Sequence, residues 1–156
     1  MAGSTPRRGG MVLVVDDEPA IRILARRILE GSGYDVIDAG NGAEALAIVA
    51  TNRPVDFLIA DLDMPVMRGD KMARTLRQLR PDLGILYVTA QSERLFEERP
   101  ELSAREAFLD KPFTVRGLLE AVSLLRNGFI TEPSPPSSTI RRLWNTWAGS
   151  RMRVRR

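Results

Sequence analysis

Five short apolar runs alternate along this chain with segments of helical periodicity, and four of the five stop on an acid, a hydroxyl or a lysine. That alternation constrains the fold more than any other feature. Residues 11–15 are Val-rich and apolar throughout, the pattern of a strand buried on both faces. They end at Asp16, Asp17 and Glu18, and Pro19 then suits the first turn of a helix. In that helix Ile21, Leu24, Ile28 and Leu29 recur at helical spacing, with Arg22, Arg26 and Arg27 expected on the wet side. Gly31 and Gly33 close it.

The same reading continues down the chain. A second strand is expected at 34–39, followed by a Gly40-Asn41-Gly42 turn and a helix near 43–50. A third strand at 56–60 ends on Asp61, and a helix over 70–80, with Arg74, Arg77 and Arg80 expected as solvated charge, stops at Pro81. A fourth strand at 84–88 ends on Thr89. A short helix is expected near 93–98, cut by Pro100, and a fifth strand at 107–109 delivers Asp110, Lys111 and Pro112. Thr114 caps a last helix with Leu118, Leu119, Val122 and Leu125 on its apolar side. Five strands and five helices in strict alternation imply an α/β fold, a doubly wound parallel sheet with helices on both faces.

Composition narrows the chemistry. The chain has no Cys and no His, which excludes disulfides, thiolate zinc sites, imidazole ligands and serine–histidine triads. Reactions here must run on carboxylates, hydroxyls and cations. No apolar run approaches the ~18 residues of a bilayer span. Arg7 and Arg8 precede an apolar stretch that Asp16, Asp17 and Glu18 end too soon for an export signal, so a cytoplasmic location is expected.

The net charge of +3 conceals an asymmetry. Residues 1–10 carry +2 and residues 133–156 carry +6, from Arg141, Arg142, Arg151, Arg153, Arg155 and Arg156, which leaves −5 for 11–132. A flexible N-terminus over 1–10, a domain over 11–128, a Pro- and Ser-rich linker over 129–138 and a basic tail over 139–156 are therefore expected. In the tail Ile140, Leu143, Trp144 and Trp147 form one apolar helical stripe. Such a helix could lie on an anionic membrane or contact nucleic-acid phosphates. It could equally fold back on the acidic body or stay disordered. Its length leaves no room for a helix-turn-helix output domain.

In a doubly wound sheet, sites form at the carboxyl ends of the strands. Asp16, Asp17, Asp61, Thr89 and Lys111 all fall at such ends. Converging carboxylates repel one another, and a divalent cation removes the conflict. Mg²⁺ prefers oxygen ligands, and a carboxylate can accept a phosphoryl group.

At this point the motifs carry a family resemblance. Val14-Val15-Asp16-Asp17-Glu18, then Asp61-Leu62-Asp63-Met64-Pro65, Val88-Thr89-Ala90 and Phe108-Leu109-Asp110-Lys111-Pro112 stand in order. The chain from Met11 to Gly128 resembles the receiver domain of two-component response regulators. The resemblance implies flavodoxin-like topology with strand order 2-1-3-4-5. It implies Asp61 as phosphoacceptor, Mg²⁺ bound through Asp16, Asp17, Asp61 and the carbonyl of Asp63, and Lys111 paired with the acceptor. It also makes Thr89 the switch hydroxyl, Phe108 a switch aromatic that turns inward, and the Lys111–Pro112 bond cis. The partners it implies are a histidine kinase or histidine phosphotransfer protein and a downstream protein target. The only catalysis implied is the chain's own phosphorylation and dephosphorylation.

Two departures stand out: Ala104 and Arg105 replace the usual Gly-Ala pair, and Pro100 interrupts the fourth helix. The rival reading, a haloacid-dehalogenase-type phosphohydrolase, also uses an aspartyl nucleophile, a hydroxyl, a lysine and Mg²⁺. Those enzymes open with the nucleophile and place the acidic pair last, whereas here the pair comes first. The reading that results is a stand-alone phosphorylation switch.

Overall fold

A computed structural model of the chain describes residues 9–64, 67–90 and 105–127. The elements run β1 (Met11–Val15), α1 (Pro19–Gly31), β2 (Asp35–Ala39), α2 (Gly42–Ala50), β3 (Phe57–Asp61), α3 (Gly69–Leu79), β4 (Gly84–Thr89), β5 (Glu106–Asp110) and α4 (Val115–Asn127). The helix expected near 93–98, the linker and the tail lie outside the described residues. The chain makes one five-stranded sheet in the order β2-β1-β3-β4-β5, with every pairing parallel. This is the expected α/β architecture. Main-chain bonding extends slightly before β1: the Gly9 N–H donates to the Gly33 carbonyl at 2.9 Å and the Asp35 N–H to the Gly10 carbonyl at 2.9 Å.

Strand alternation divides the core in two. Leu13, Val15, Leu58, Ala60, Ile85, Tyr87 and Phe108 face one side with Ala45, Val49, Met72 and Leu76 of α2 and α3. Val12, Val14, Phe57, Ile59, Leu86, Val88 and Leu109 face the other with α1 and α4. Every residue of β3 and β4 is buried, which explains their unbroken apolar runs. No described helix is long and apolar enough to cross a membrane.

Helix starts follow the expected chemistry. Pro19 sits in the first turn of α1. Asn41 caps α2, its Oδ1 accepting the Glu44 N–H at 2.9 Å, while the Glu44 carboxylate reaches back to the Gly40 N–H at 2.8 Å. Thr114 Oγ1 accepts the Gly117 N–H at 2.9 Å at the start of α4.

The helix faces need corrections. On α1, Leu24 is 42% exposed and Ala25 takes its place in the core. Arg22 turns from the wet side to pair with Asp38 on β2, and Arg26, still partly exposed, pairs with the same acid. On α3, Arg77 bonds the buried Glu106 and the Leu83 carbonyl, and Arg80 bonds the Val49 and Arg53 carbonyls. Each of these partners lies far along the sequence or in another element, so helical periodicity alone could not reveal them.

Arg105 enters β5 with φ +66°, a left-handed conformation that costs an L-residue roughly 1–2 kcal/mol. Glycine would relieve that strain at an entropic cost of about 0.5–1 kcal/mol. Arg105→Gly should therefore leave stability unchanged or raise it by up to about 1 kcal/mol, whereas the β-branched Arg105→Val should lower it. Urea midpoints of the two variants test this. A Gly variant less stable than the Val variant would show that strain is not what residue 105 contributes.

Candidate functional site

The parallel register brings the carboxyl ends of β1, β3, β4 and β5 to one edge of the sheet. Main-chain bonds fix those ends to each other. Asp16 N–H donates to the Ala39 carbonyl at 3.2 Å, Leu62 N–H to Val88 at 3.2 Å and Lys111 N–H to Thr89 at 2.9 Å. The Lys111–Pro112 peptide is cis, as the resemblance implied. Asp16, Asp61 and Thr89 are all buried, at 3%, 4% and 1% exposure.

Lys111 holds the centre. Its Nζ lies 2.8 Å from Asp16 Oδ2, 3.3 Å from Asp61 Oδ2 and 4.0 Å from Glu18 Oε1. The other oxygen of Asp61, Oδ1, accepts the Asp63 N–H at 3.1 Å. Asp16 Oδ1 accepts the Glu18 N–H at 2.9 Å, and its carbonyl accepts Nη1 of Arg22 at 2.6 Å. Asp16 is thus held from three directions rather than serving as a helix cap. Thr89 Oγ1 donates to Asp63 Oδ2 at 3.1 Å. Phe108 lies inside the core at 2% exposure, stacked on Tyr87.

Carboxylate oxygens of Asp16, Asp17 and Glu18 lie within 4.8 Å of one another. Asp16 is buried while Asp17 and Glu18 are exposed, so this group opens outward. An oxygen-only donor set of this kind suits a hard divalent cation that keeps several waters, which is Mg²⁺ rather than a softer metal. Asp61 and Asp63 lie outside that trio: Lys111 joins Asp61 to it, and Asp63 meets Asp61 through its own N–H. Sequence reasoning placed Glu18 in the motif but gave it no role. The run of three acids at a strand end was the available signal. For Arg22 there was none.

Burial pushes the Asp61 carboxyl above its usual value; the Asp63 N–H pulls it back, Asp16 pushes it further up, and Lys111 opposes both. Burial lowers Lys111, but the bond and charge of Asp16 and the charge of Asp61 outweigh it and leave the ammonium above its usual value. A carboxylate whose folded pKa is raised favours the folded state only when protonated, so its ionised form costs stability at neutral pH. In chelator, Asp61→Asn should therefore raise the melting temperature at neutral pH. That advantage should shrink as pH falls through the raised Asp61 pKa. A variant melting below wild type at neutral pH would show that the Lys111 contact outweighs the burial cost.

The loop after β3 presses on the acceptor strand. A β-carbon at Gly69 would lie 2.3 Å from the Asp61 carbonyl oxygen, a backbone atom that cannot swing aside. Gly69→Ala should cost roughly 1–3 kcal/mol, the usual range for overpacking. Denaturant midpoints check it, and a neutral variant would mean the loop moves freely.

The profile of the response regulator receiver domain matches residues 12–123. The chain is 37% identical over 112 residues to the sensor kinase CckA of Brucella abortus (strain 2308), covering 71% of this chain and 12% of that protein. It is 37% identical over 130 residues to the response regulator MprA of Mycobacterium sp. (strain KMS), covering 83% of this chain and 56% of that protein. It therefore spans no more than about half of these relatives. Among solved structures, the chemotaxis protein CheY4 of Vibrio cholerae is similar at 30% identity with a TM-score of 0.63, covering 74% of this chain and 98% of that one. The response regulator TrrA of Thermotoga maritima, solved in complex with Mg²⁺-BeF, is similar at 35% identity with a TM-score of 0.63, over 74% and 98% of the two chains. With the acidic trio after β1, Asp61 at the end of β3 and Lys111 after β5 of one parallel sheet, this chain belongs to the response regulator receiver domain family of two-component signalling, whose members act with histidine kinases as signalling modules.

Proposed function

We propose that the chain is a phosphorylation-activated switch that takes a phosphoryl group on Asp61 from a histidine kinase or histidine phosphotransfer protein. The observation that carries this reading is the bridge of Lys111 between Asp16 and Asp61 beside an open acidic trio. A carboxylate oxygen of Asp61 attacks the phosphorus of a phosphohistidine. The P–N bond breaks, its electron pair leaves with the imidazole, which takes a proton from solvent, and an acyl phosphate forms on Asp61.

Asp16, Asp17 and Asp61, with the carbonyl of Asp63, would hold Mg²⁺ in this reading, with Glu18 beside Asp16 and Asp17. When bound, Mg²⁺ neutralises charge on the phosphoryl oxygens. The remaining work falls to the chain. Lys111 supplies a fixed cation at the transferring group, and the Asp63 N–H keeps the Asp61 carboxylate aimed. Thr89 then exchanges its bond to Asp63 for one to a phosphoryl oxygen, which shifts a pre-existing equilibrium and alters a surface read by a downstream protein.

Mass spectrometry with acetyl phosphate tests the assignment. One phosphoryl group should appear in Mg²⁺, none in chelator and none in Asp61→Asn; full labelling of Asp61→Asn would overturn it. Lys111→Ala should slow labelling by about two orders of magnitude, the usual effect of deleting one charge-stabilising donor. Thr89→Ala should label fully while losing the conformational response. An unchanged spectral response at equal labelling would remove Thr89 from the switch.

A further inference from the structure

The phosphoryl chemistry leaves a column of buried side chains unused on the β4–β5 side of the sheet. At its foot is Glu106, the first residue of β5 and only 3% exposed. A carboxylate so deep needs a partner. Its Oε1 lies 3.2 Å from Nη1 of Arg77 and accepts from the Tyr87 hydroxyl at 3.4 Å. Arg77 is anchored in turn by the Leu83 carbonyl at 3.0 Å.

Above Glu106 the parallel register sets Tyr87 directly opposite Phe108. The two rings stack with centroids 5.2 Å apart and planes 26° from parallel, and each is no more than 2% exposed. Alternation puts Tyr87 and Thr89 on one face of β4, and Glu106 and Phe108 on the same face of β5. Moving Phe108 outward would strip apolar surface from its own ring and from the face of Tyr87. Tyr87 is tied down in turn, because Glu106, itself paired with Arg77, accepts its hydroxyl.

We propose that Tyr87 is a positioning residue which, steadied by Glu106 and Arg77, clamps Phe108 inside the core, so that the site responds through Thr89 and Asp63 while Phe108 stays buried. This departs from the inward turn of Phe108 implied by the resemblance, and it rests on the phosphorylation reading of the site. The clamp acts on the ring, not on the chemistry, so it leaves the Asp61 acceptor intact.

The test uses the full chain labelled with fluorophenylalanine, the Phe108 resonance being the one that Phe108→Leu removes. A soluble gadolinium chelate reports solvent access to the fluorine, with and without Mg²⁺ and beryllofluoride. In wild type the Phe108 fluorine should be protected under both conditions. Tyr87→Leu should raise its relaxation by the chelate several-fold, and Tyr87→Phe, which keeps the ring but loses the hydroxyl bound to Glu106, should raise it by a smaller factor. A wild-type Phe108 that is accessible in either condition overturns the clamp, as does a Tyr87→Leu variant that protects it fully. Acetyl phosphate labelling of the same samples separates the two ideas. Loss of labelling at Asp61 in wild type sinks the phosphorylation reading, whereas intact labelling with a solvent-accessible wild-type Phe108 sinks the clamp alone.

Discussion

The ammonium of Lys111 is what lets two carboxylates share the buried end of this sheet. Asp16 and Asp61 come from neighbouring strands, so a parallel sheet forces them together whatever their mutual repulsion. Removing a carboxylate from water costs several kcal/mol even after relaxation. A unit charge pair near a protein surface recovers about 4 kcal/mol at 4 Å. One cation at 2.8 Å from Asp16 and 3.3 Å from Asp61 therefore offsets much of the cost but not all of it, which is why Asp61 remains above its ordinary pKa. The lysine can occupy that position only because β5 carries it to the same edge of the sheet, bound through its own N–H to the end of β4.

The strands and the strand-end residues were legible because both follow from local rules. An apolar run of five with no alternation must be buried on both faces, and the residue that ends it must sit at the sheet edge. Asp16, Asp61, Thr89 and Lys111 needed nothing more to be placed together. The arginines were illegible for the opposite reason. Arg22 looks like a solvated helix charge until β2 lies beside β1 and brings Asp38 and the Asp16 carbonyl within reach. Arg77 looks solvated until α3 covers the start of β5 and meets Glu106. Leu24 was misplaced because Ala25 fits the close approach of α1 to the sheet, a matter of packing distance that periodicity does not encode. Glu18 was visible as a residue, yet its place in the acidic trio depended on the turn made by Asp16 Oδ1 and the Glu18 N–H.

These long-range arginine contacts have a common consequence. Each one ties a helix to the main chain or to a buried acid at a strand end, so the scaffold around the site is held by charge-assisted bonds as well as by apolar burial. Arg22 fixes the end of β1 and Arg77 fixes the start of β5. The site itself is the reverse case. Gly69 leaves no room over the Asp61 carbonyl, and Asp61 is ionised at a cost. A stiff frame is what allows close packing and charge to be concentrated at one edge without the sheet opening there.

The hydrogen bond from Thr89 to Asp63 then sets the terms of any response. A hydroxyl has one proton to donate. In the structure that proton serves Oδ2 of Asp63 at 3.1 Å, while the Asp63 N–H serves Asp61. Residue 63 is therefore engaged twice, once as the donor that aims the acceptor and once as the rival for the hydroxyl. In the proposed switch, a phosphoryl group on Asp61 must outcompete a carboxylate for Thr89, and both are strong, charged acceptors. Asp63, exposed to water, is free to resolvate when it loses the bond, whereas the buried hydroxyl of Thr89 is not. The exchange is thus driven by where the hydroxyl can find its next acceptor. In that proposed exchange, Asp63 is the acceptor from which Thr89 must be drawn.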